Sequence, residues 1–306
     1  MMPIRFPCTP ATRKLAVLGI SIPALFSTMA ASRSAQSSST SPTDKAPTPS
    51  SPIHPYPPRH KAFPYTPRDF LRRDESDDTD FYTQPRFVTH IDDNAIRLLR
   101  EYYAVNLPRK GRILDLCSSW ISHFPKELEE LAIVGKDEGQ ETGLEVVGLG
   151  MNKKELAANP ILKISILQNL NVDPTIPASL FPLDATACVV SIDYLTKPLD
   201  VLSSLLQHTR TGGSVHLIIS NRCFPTKAVG RWLRVSEEER LRMVGDYLWF
   251  SGWRNIEIVE VCDGRGQAPR LMGMFGGGVD PLWVVRGVKV VGKEVGKEVG
   301  EGRSEL

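Results

Sequence analysis

Apolar residues recur along the middle of the chain in two alternating rhythms. Residues 91–103 (IDDNAIRLLREYY) space their apolar side chains three and four apart, the period of a helix buried on one face. RILDL (112–116) is instead a short unbroken apolar run, the mark of a strand covered on both sides. The alternation continues. WISHFPKELEELA (120–132) reads as a helix broken at Pro125, LEVVGLG (144–150) as a strand, and ILKISIL (161–167) as a short β-rich run. TACVVSI (186–192) predicts a buried strand, PLDVLSSLLQHTR (198–210) an amphipathic helix, and SVHLIIS (214–220) a strand entered through the turn Thr211-Gly212-Gly213. Residues 236–252 predict a helix capped by Ser236 and closed at Gly252. NIEIVEVC (255–262) and PLWVVRGVKV (281–290) are two strands in succession, so one of them is expected to run antiparallel. The class this predicts is α/β: a doubly wound, mostly parallel sheet with a C-terminal antiparallel hairpin.

The flanks lack this rhythm. Residues 1–43 contain no acid but carry Arg5, Arg13, Lys14, Arg33 and many serines, which matches a mitochondrial presequence. The apolar run 15–31, interrupted by Pro23, also fits the core of a signal peptide, and a start at Met29 would leave a cytoplasmic chain. The order of preference is mitochondrial first, over residues 1–40. Residues 41–67 hold nine of the 24 prolines, and 74–80 (DESDDTD) are an acidic run, so 41–80 is expected as a disordered linker ending in a solvated face. The tail VGKEVGKEVGEG, within residues 291–306, repeats glycine every few positions and is expected to be disordered. The folded domain expected is 81–290.

Composition narrows the function. The 306 residues are 41% hydrophobic and 24% charged, enough apolar material for one sizeable core. A net charge of +2 argues for neither a nucleic-acid partner nor an anionic membrane, and no membrane span is expected in the mature protein. The five cysteines are scattered, with no Cys-x-x-Cys pair and no His at metal-ligand spacing, so neither a disulfide framework nor a metal site is expected.

In open α/β sheets ligands bind beyond the carboxyl ends of the strands. Those ends read Asp115-Leu116-Cys117-Ser118-Ser119, Gly150-Met151-Asn152, Gln168-Asn169-Leu170-Asn171, Ser191-Ile192-Asp193-Tyr194 and Ser220-Asn221-Arg222-Cys223. In this order they resemble the class I S-adenosylmethionine-dependent methyltransferases. The phrases FVTHID, ILDLCSSWISHFP, GLGMN, ELAANP, SIDYLTKPL, SNRCFPTKAVG and DPLWVV look like an uncharacterised methyltransferase-like group of plants and fungi, across about residues 87–286. The resemblance implies a seven-stranded sheet, S-adenosylmethionine as cofactor and a small-molecule acceptor.

It also implies roles. Asp115 matches the acid that ends the first strand, and Cys117, Ser118 and Ser119 stand where that family places glycines around the methionine part of the cofactor. Such a loop can cradle a ligand provided its turn stays in ordinary φ/ψ space, which Cys and Ser prefer; a simple strand exit is compatible with the same residues. Gly150 stands where an acid usually takes the ribose, with Met151 beside it and Asn152 as a substitute for that acid; a plain turn is an equal reading. Asn169 and Leu170 flank the expected adenine, with the Asn169 side-chain oxygen able to accept from an exocyclic amine. Ser191 leads into Asp193 and Tyr194, expected to face the transferred methyl, Asp193 as proton acceptor and Tyr194 closing over the sulfonium. Taken alone, Asp193 is more often a helix cap. His90, before the first strand, is expected to fold over the cofactor. A non-catalytic binding or assembly protein is the alternative, favoured by the glycine-poor loop; a nicotinamide enzyme is disfavoured because no G-x-G-x-x-G follows the first strand.

Overall fold

The computed structural model describes residues 51–134, 143–264 and 280–291. One sheet of eight strands organises them: β1 (Ile53–Pro55), β2 (Gly111–Leu116), β3 (Leu144–Gly150), β4 (Ile164–Leu167), β5 (Leu183–Val189), β6 (Thr209–Ser220), β7 (Arg254–Cys262) and β8 (Leu282–Val288). Their spatial order is β1-β7-β8-β6-β5-β2-β3-β4. From β4 to β6 every pairing is parallel, whereas β8 inserts antiparallel between β6 and β7. The order therefore reverses at β2 and β5, where the chain winds first to one side and then to the other. This is the expected doubly wound, Rossmann-like sheet with its C-terminal antiparallel hairpin, with eight strands instead of the seven expected.

The parallel strands alternate their side chains between two apolar layers. Ile113 and Val146 point to a layer with Leu99 and Tyr103 of α2 (Asp93–Asn106) and Leu128 of α3 (Lys126–Val134). Leu114, Leu116, Val147 and Leu149 point to the other, against α5 (Pro198–His208) and α6 (Glu237–Phe250). Caps fix the ends: Asp92 accepts from Ala95 N–H at 2.8 Å, Ser236 from Glu239 N–H at 3.3 Å, and Gly252, at φ +100°, follows α6. The helix expected from Trp120 begins only after Pro125; residues 120–125 are loop.

The eighth strand comes from the segment expected to be a linker. Ile53 pairs with Val259 and Pro55 with Glu257, at the sheet's edge, where a proline costs no ladder bond. Beyond it, the hydroxyls of Tyr56 and Tyr65 donate to Asp246, a fully buried carboxylate on α6, at 2.5 Å for Tyr65. Arg59 bridges Asp246 at 2.7 Å and Glu239 at 2.7 Å. The acidic run is solvated at Glu75, Asp77 and Asp80, as expected, but not throughout: in α1 (Asp78–Phe81), Asp78 is buried, paired with Arg72 at 2.7 Å and Lys227 at 3.4 Å. Proline content misleads here because two tyrosines and an arginine, spaced along an extended path, converge on one buried acid. The targeting segment, residues 41–50 of the expected linker and residues 292–306 of the tail lie outside the described residues. No helix among the described residues is long and apolar enough to cross a membrane.

Gly245 makes this docking possible. A Cβ there would overlap the Tyr56 ring. Gly245→Ala is expected to cost about 1–3 kcal/mol through overpacking and to expose residues 51–66 to protease well before the core unfolds; urea denaturation with timed proteolysis measures both.

Candidate active site

At the carboxyl ends of β2, β3 and β5, where the strand order reverses, lies a cavity of about 380 Å³. Its floor is the loop after β2. There the backbone N–H of Ser118 donates to Leu149 O at 2.8 Å, stitching the loop to the end of β3. Serine hydroxyls do the remaining wiring. Ser118 Oγ and Ser122 Oγ donate to Asp115 Oδ2 at 2.6 and 2.7 Å, and Ser119 Oγ donates to Glu155 Oε2 at 2.8 Å. Asn159 Nδ2 donates to Ser119 O at 3.0 Å and to Ser122 Oγ at 2.9 Å.

The expected ordinary φ/ψ of this loop is not what it adopts. Cys117 sits at φ +58°, in the left-handed region. His123 (φ +57°) and Val190 (φ +40°) share that strain, and all three line the cavity. For Val190, a β-branched residue at the end of β5, this is a true outlier, held by its N–H to Ile218 O at 2.9 Å. Strain of this kind costs about 1–3 kcal/mol per residue and persists only where surrounding contacts impose it.

Gly150 has a packing reason. A Cβ on it would run into the carbonyl oxygen of Ser118. The glycine admits the loop backbone, so neither alanine nor aspartate has room there. Asn152, expected as a stand-in for a ribose acid, is fully committed. Its Oδ1 caps α4 (Lys153–Ala158) by accepting from Lys154 and Glu155 N–H at 2.9 and 3.1 Å. Its Nδ2 donates to Tyr82 O and Thr83 O at 2.8 and 3.3 Å.

The other expected residues divide. Asp115, Met151, Leu170, Ser191, Tyr194 and His90 line the cavity, as do Cys117, Ser118, Ser119, Gly150, Asn152 and Asn169. Asn169 turns its Oδ1 back onto Asn171 N–H at 3.0 Å, so the oxygen expected for adenine closes a turn. Tyr194 accepts from Phe224 N–H at 2.8 Å, and Ser191 Oγ donates to Val189 O at 2.8 Å. Asp193 is the exception. It is buried behind the wall, absent from the lining, with Oδ2 lacking a hydrogen-bond partner, while its backbone oxygen accepts from Val229 N–H at 2.9 Å. A short 3₁₀ turn (Ile192–Tyr194) carries Tyr194 toward the cavity and turns Asp193 inward.

Burial dominates the electrostatics. It pushes Asp115 up to about 6, against the pull of the two serine hydroxyls, and Asp193 up to about 8. It lowers His123 to about 4 and His90 below its ordinary value. Residues missed from the sequence complete the walls: Glu155, whose Oε1 accepts from Arg86 N–H at 2.6 Å, and Tyr82, Arg86, His123, Phe224 and Lys227. Most fall inside or beside the phrases FVTHID, ELAANP and SNRCFPTKAVG. Their positions in those phrases were the available signal.

No protein-family model matches the chain, and no curated protein does. Solved structures similar to it include methyltransferases of low identity. A TehB-like S-adenosylmethionine-dependent methyltransferase of Corynebacterium glutamicum is 14% identical, over 64% of this chain and 87% of that one, with a TM-score of 0.39. Phosphoethanolamine N-methyltransferase 2 of Haemonchus contortus, solved with S-adenosyl-L-methionine, is 15% identical over 74% of this chain, with a TM-score of 0.42. The present chain spans 60% of its length. A protein solved in complex with the Trm112 methyltransferase activator of Haloferax volcanii is 11% identical, over 65% of this chain and 92% of that one, with a TM-score of 0.43.

Two outcomes follow from the geometry. Gly150→Ala should destabilise by about 1–3 kcal/mol, because the obstacle is backbone and cannot rotate away; unchanged unfolding would mean the loop does not pack there. Asp193 binds its proton more tightly folded than unfolded, so its contribution is lost as pH rises from its ordinary 3.8 toward about 8. Asp193→Asn should therefore flatten the fall in stability across that window and leave stability at pH 4 nearly unchanged. Thermal melts at stepped pH test it, and parallel curves for the two proteins would refute it.

Proposed function

We propose that the protein is an S-adenosylmethionine-dependent methyltransferase acting on a small-molecule acceptor. The observation that carries this reading is the cavity's place: it opens at the reversal of strand order, beyond the carboxyl ends of the parallel strands. Its volume falls within the roughly 300–1,000 Å³ of small-molecule sites.

The residues present suit the cofactor in most respects. The loop at Cys117–Ser119 supplies close-approaching backbone, and Leu149, Met151 and Leu170 supply apolar surface for a flat base. His123 Nδ1, buried in the lining without a partner, is a polar group left for a ligand. The departure is the ribose side, where Gly150 excludes an acid and Glu155, the lining carboxylate nearest to it in sequence, already accepts from Ser119 and Arg86. When bound, the cofactor supplies a methyl already activated on a sulfonium. The chain's part is then alignment and exclusion of water, and alignment asks for no strong acid–base pair. Tyr194, held by Phe224 N–H, presents its ring at the cavity wall in a fixed orientation. The plant and fungal group remains the most specific likeness in the sequence and names no acceptor.

Calorimetric titration with S-adenosylmethionine and S-adenosylhomocysteine is expected to give saturable binding to the folded protein. Absence of binding by both would sink the reading. Transfer of a labelled methyl to an acceptor panel then separates an enzyme from a cofactor-binding protein without turnover.

A further inference from the structure

Three cations line the cavity, and two are already answered. Lys227, itself buried, meets Asp74 at 3.2 Å and Asp78 at 3.4 Å, and Arg222 meets Asp280 at 2.8 Å. Arg86 differs. Among the described residues its guanidinium makes no ion pair: Glu155 takes the Arg86 main-chain N–H, while Nη2 donates to Phe81 O at 3.0 Å. Nη1 is buried without any partner. A buried donor on a charged group is costly to leave unanswered.

The placement of this guanidinium is equally specific. It lies 4.4 Å from the Phe81 ring centre, 5.4 Å from Phe224 and 5.7 Å from Tyr82. Its main chain is anchored beside Glu155, but its charge is carried across to Phe224, in the loop after β6, whose ring centre lies 6.0 Å from that of Tyr194. Ring faces that would otherwise attract a cationic acceptor are covered by Arg86. The carboxylates of the lining are all engaged, Asp78 by Arg72 and Lys227, Asp115 by two serines, and Glu155 by Arg86 N–H and Ser119.

Resting on the methyltransferase reading, we propose that the acceptor is anionic, and that Arg86 binds its carboxylate or phosphate group through the unpartnered Nη1. Guanidinium is suited to both groups, and a charge-assisted pair in a partly dry cavity gives orientation as well as affinity. The acid is then a handle that sets which atom of the acceptor faces the methyl donor. Arg86 is a binding and positioning residue; it takes no part in the transfer itself.

Inorganic phosphate is the probe, followed by thermal shift with the full chain saturated with S-adenosylhomocysteine. Wild type should be stabilised by phosphate beyond a chloride control of equal ionic strength. Arg86→Met, which keeps a stem over Phe81, should weaken the phosphate dissociation constant about ten- to a hundredfold. Arg86→Lys should fall between the two and serves if the methionine variant fails to fold. Arg97→Met, removing an exposed charge on α2, should change nothing. Phosphate binding in Arg86→Met or Arg86→Lys equal to wild type would overturn the proposal. So would weakened binding of S-adenosylhomocysteine with unaltered binding of 5′-methylthioadenosine, which lacks the amino-acid part, because Arg86 would then serve the cofactor's carboxylate. A wild type that responds to phosphate through Arg86 but not to S-adenosylhomocysteine keeps the anion site and removes the methyltransferase reading.

Discussion

Where the loop after β2 lies against the end of β3, two backbones touch. Ser118 donates its N–H to Leu149 and rests its carbonyl on the bare Cα of Gly150. Remove that contact and the loop has no fixed height above the sheet. With it, the serines can reach Asp115 and Glu155, Asn159 can reach back from the end of α4, and Cys117 is driven into a conformation it would not choose. Glycine is therefore used on the strand and withheld from the loop. A loop built of glycines gains its turn at an entropic cost; this one has side-chain hydrogen bonds that hold its strained turn in place.

A second constraint acts on the far side of the sheet. Asp246 is a carboxylate with no exposure, and its partners come from a segment almost 190 residues away in sequence. Tyr56, Tyr65 and Arg59 answer it together, so the extended residues 53–65 are fixed through hydrogen bonds more than through regular structure. From there the chain passes through the Asp78–Arg72–Lys227 cluster into Tyr82, Arg86 and His90, and so becomes one wall of the cavity.

The sheet was legible in the sequence because its evidence is local. Unbroken apolar runs such as RILDL and LEVVGLG register directly as buried strands, and Ser236 and Gly252 mark the ends of α6. The strand ends likewise pointed to the cavity, and nearly all of the residues expected there line it. What was not legible depends on contacts remote in sequence. Gly150 looked like a missing acid until Ser118 was seen against it. Asn152 read equally as a ribose ligand or a turn residue until Tyr82 and Thr83 were seen on its amide. Asp193 and Tyr194 are adjacent, and a single 3₁₀ turn decides which of the two reaches the cavity. Proline counting failed for residues 51–80 because a segment need not pack a core of its own if it can dock on another's.

The place of β8 has a consequence for biogenesis. It pairs with both β6 and β7, so a strand made later than either is inserted between them. During synthesis β6 therefore waits with an open edge, and β7, paired with the early β1, has no bond to the rest of the sheet until residues 282–288 leave the ribosome. Such non-local closure is slow and exposes unpaired strand edges to other chains. Since Ser220, at the cavity end of β6, pairs with Leu282, the sheet beside the pocket is completed there only once β8 has been made. A nascent chain stalled short of that point carries most of the site's residues but not the strand that completes the sheet beside them.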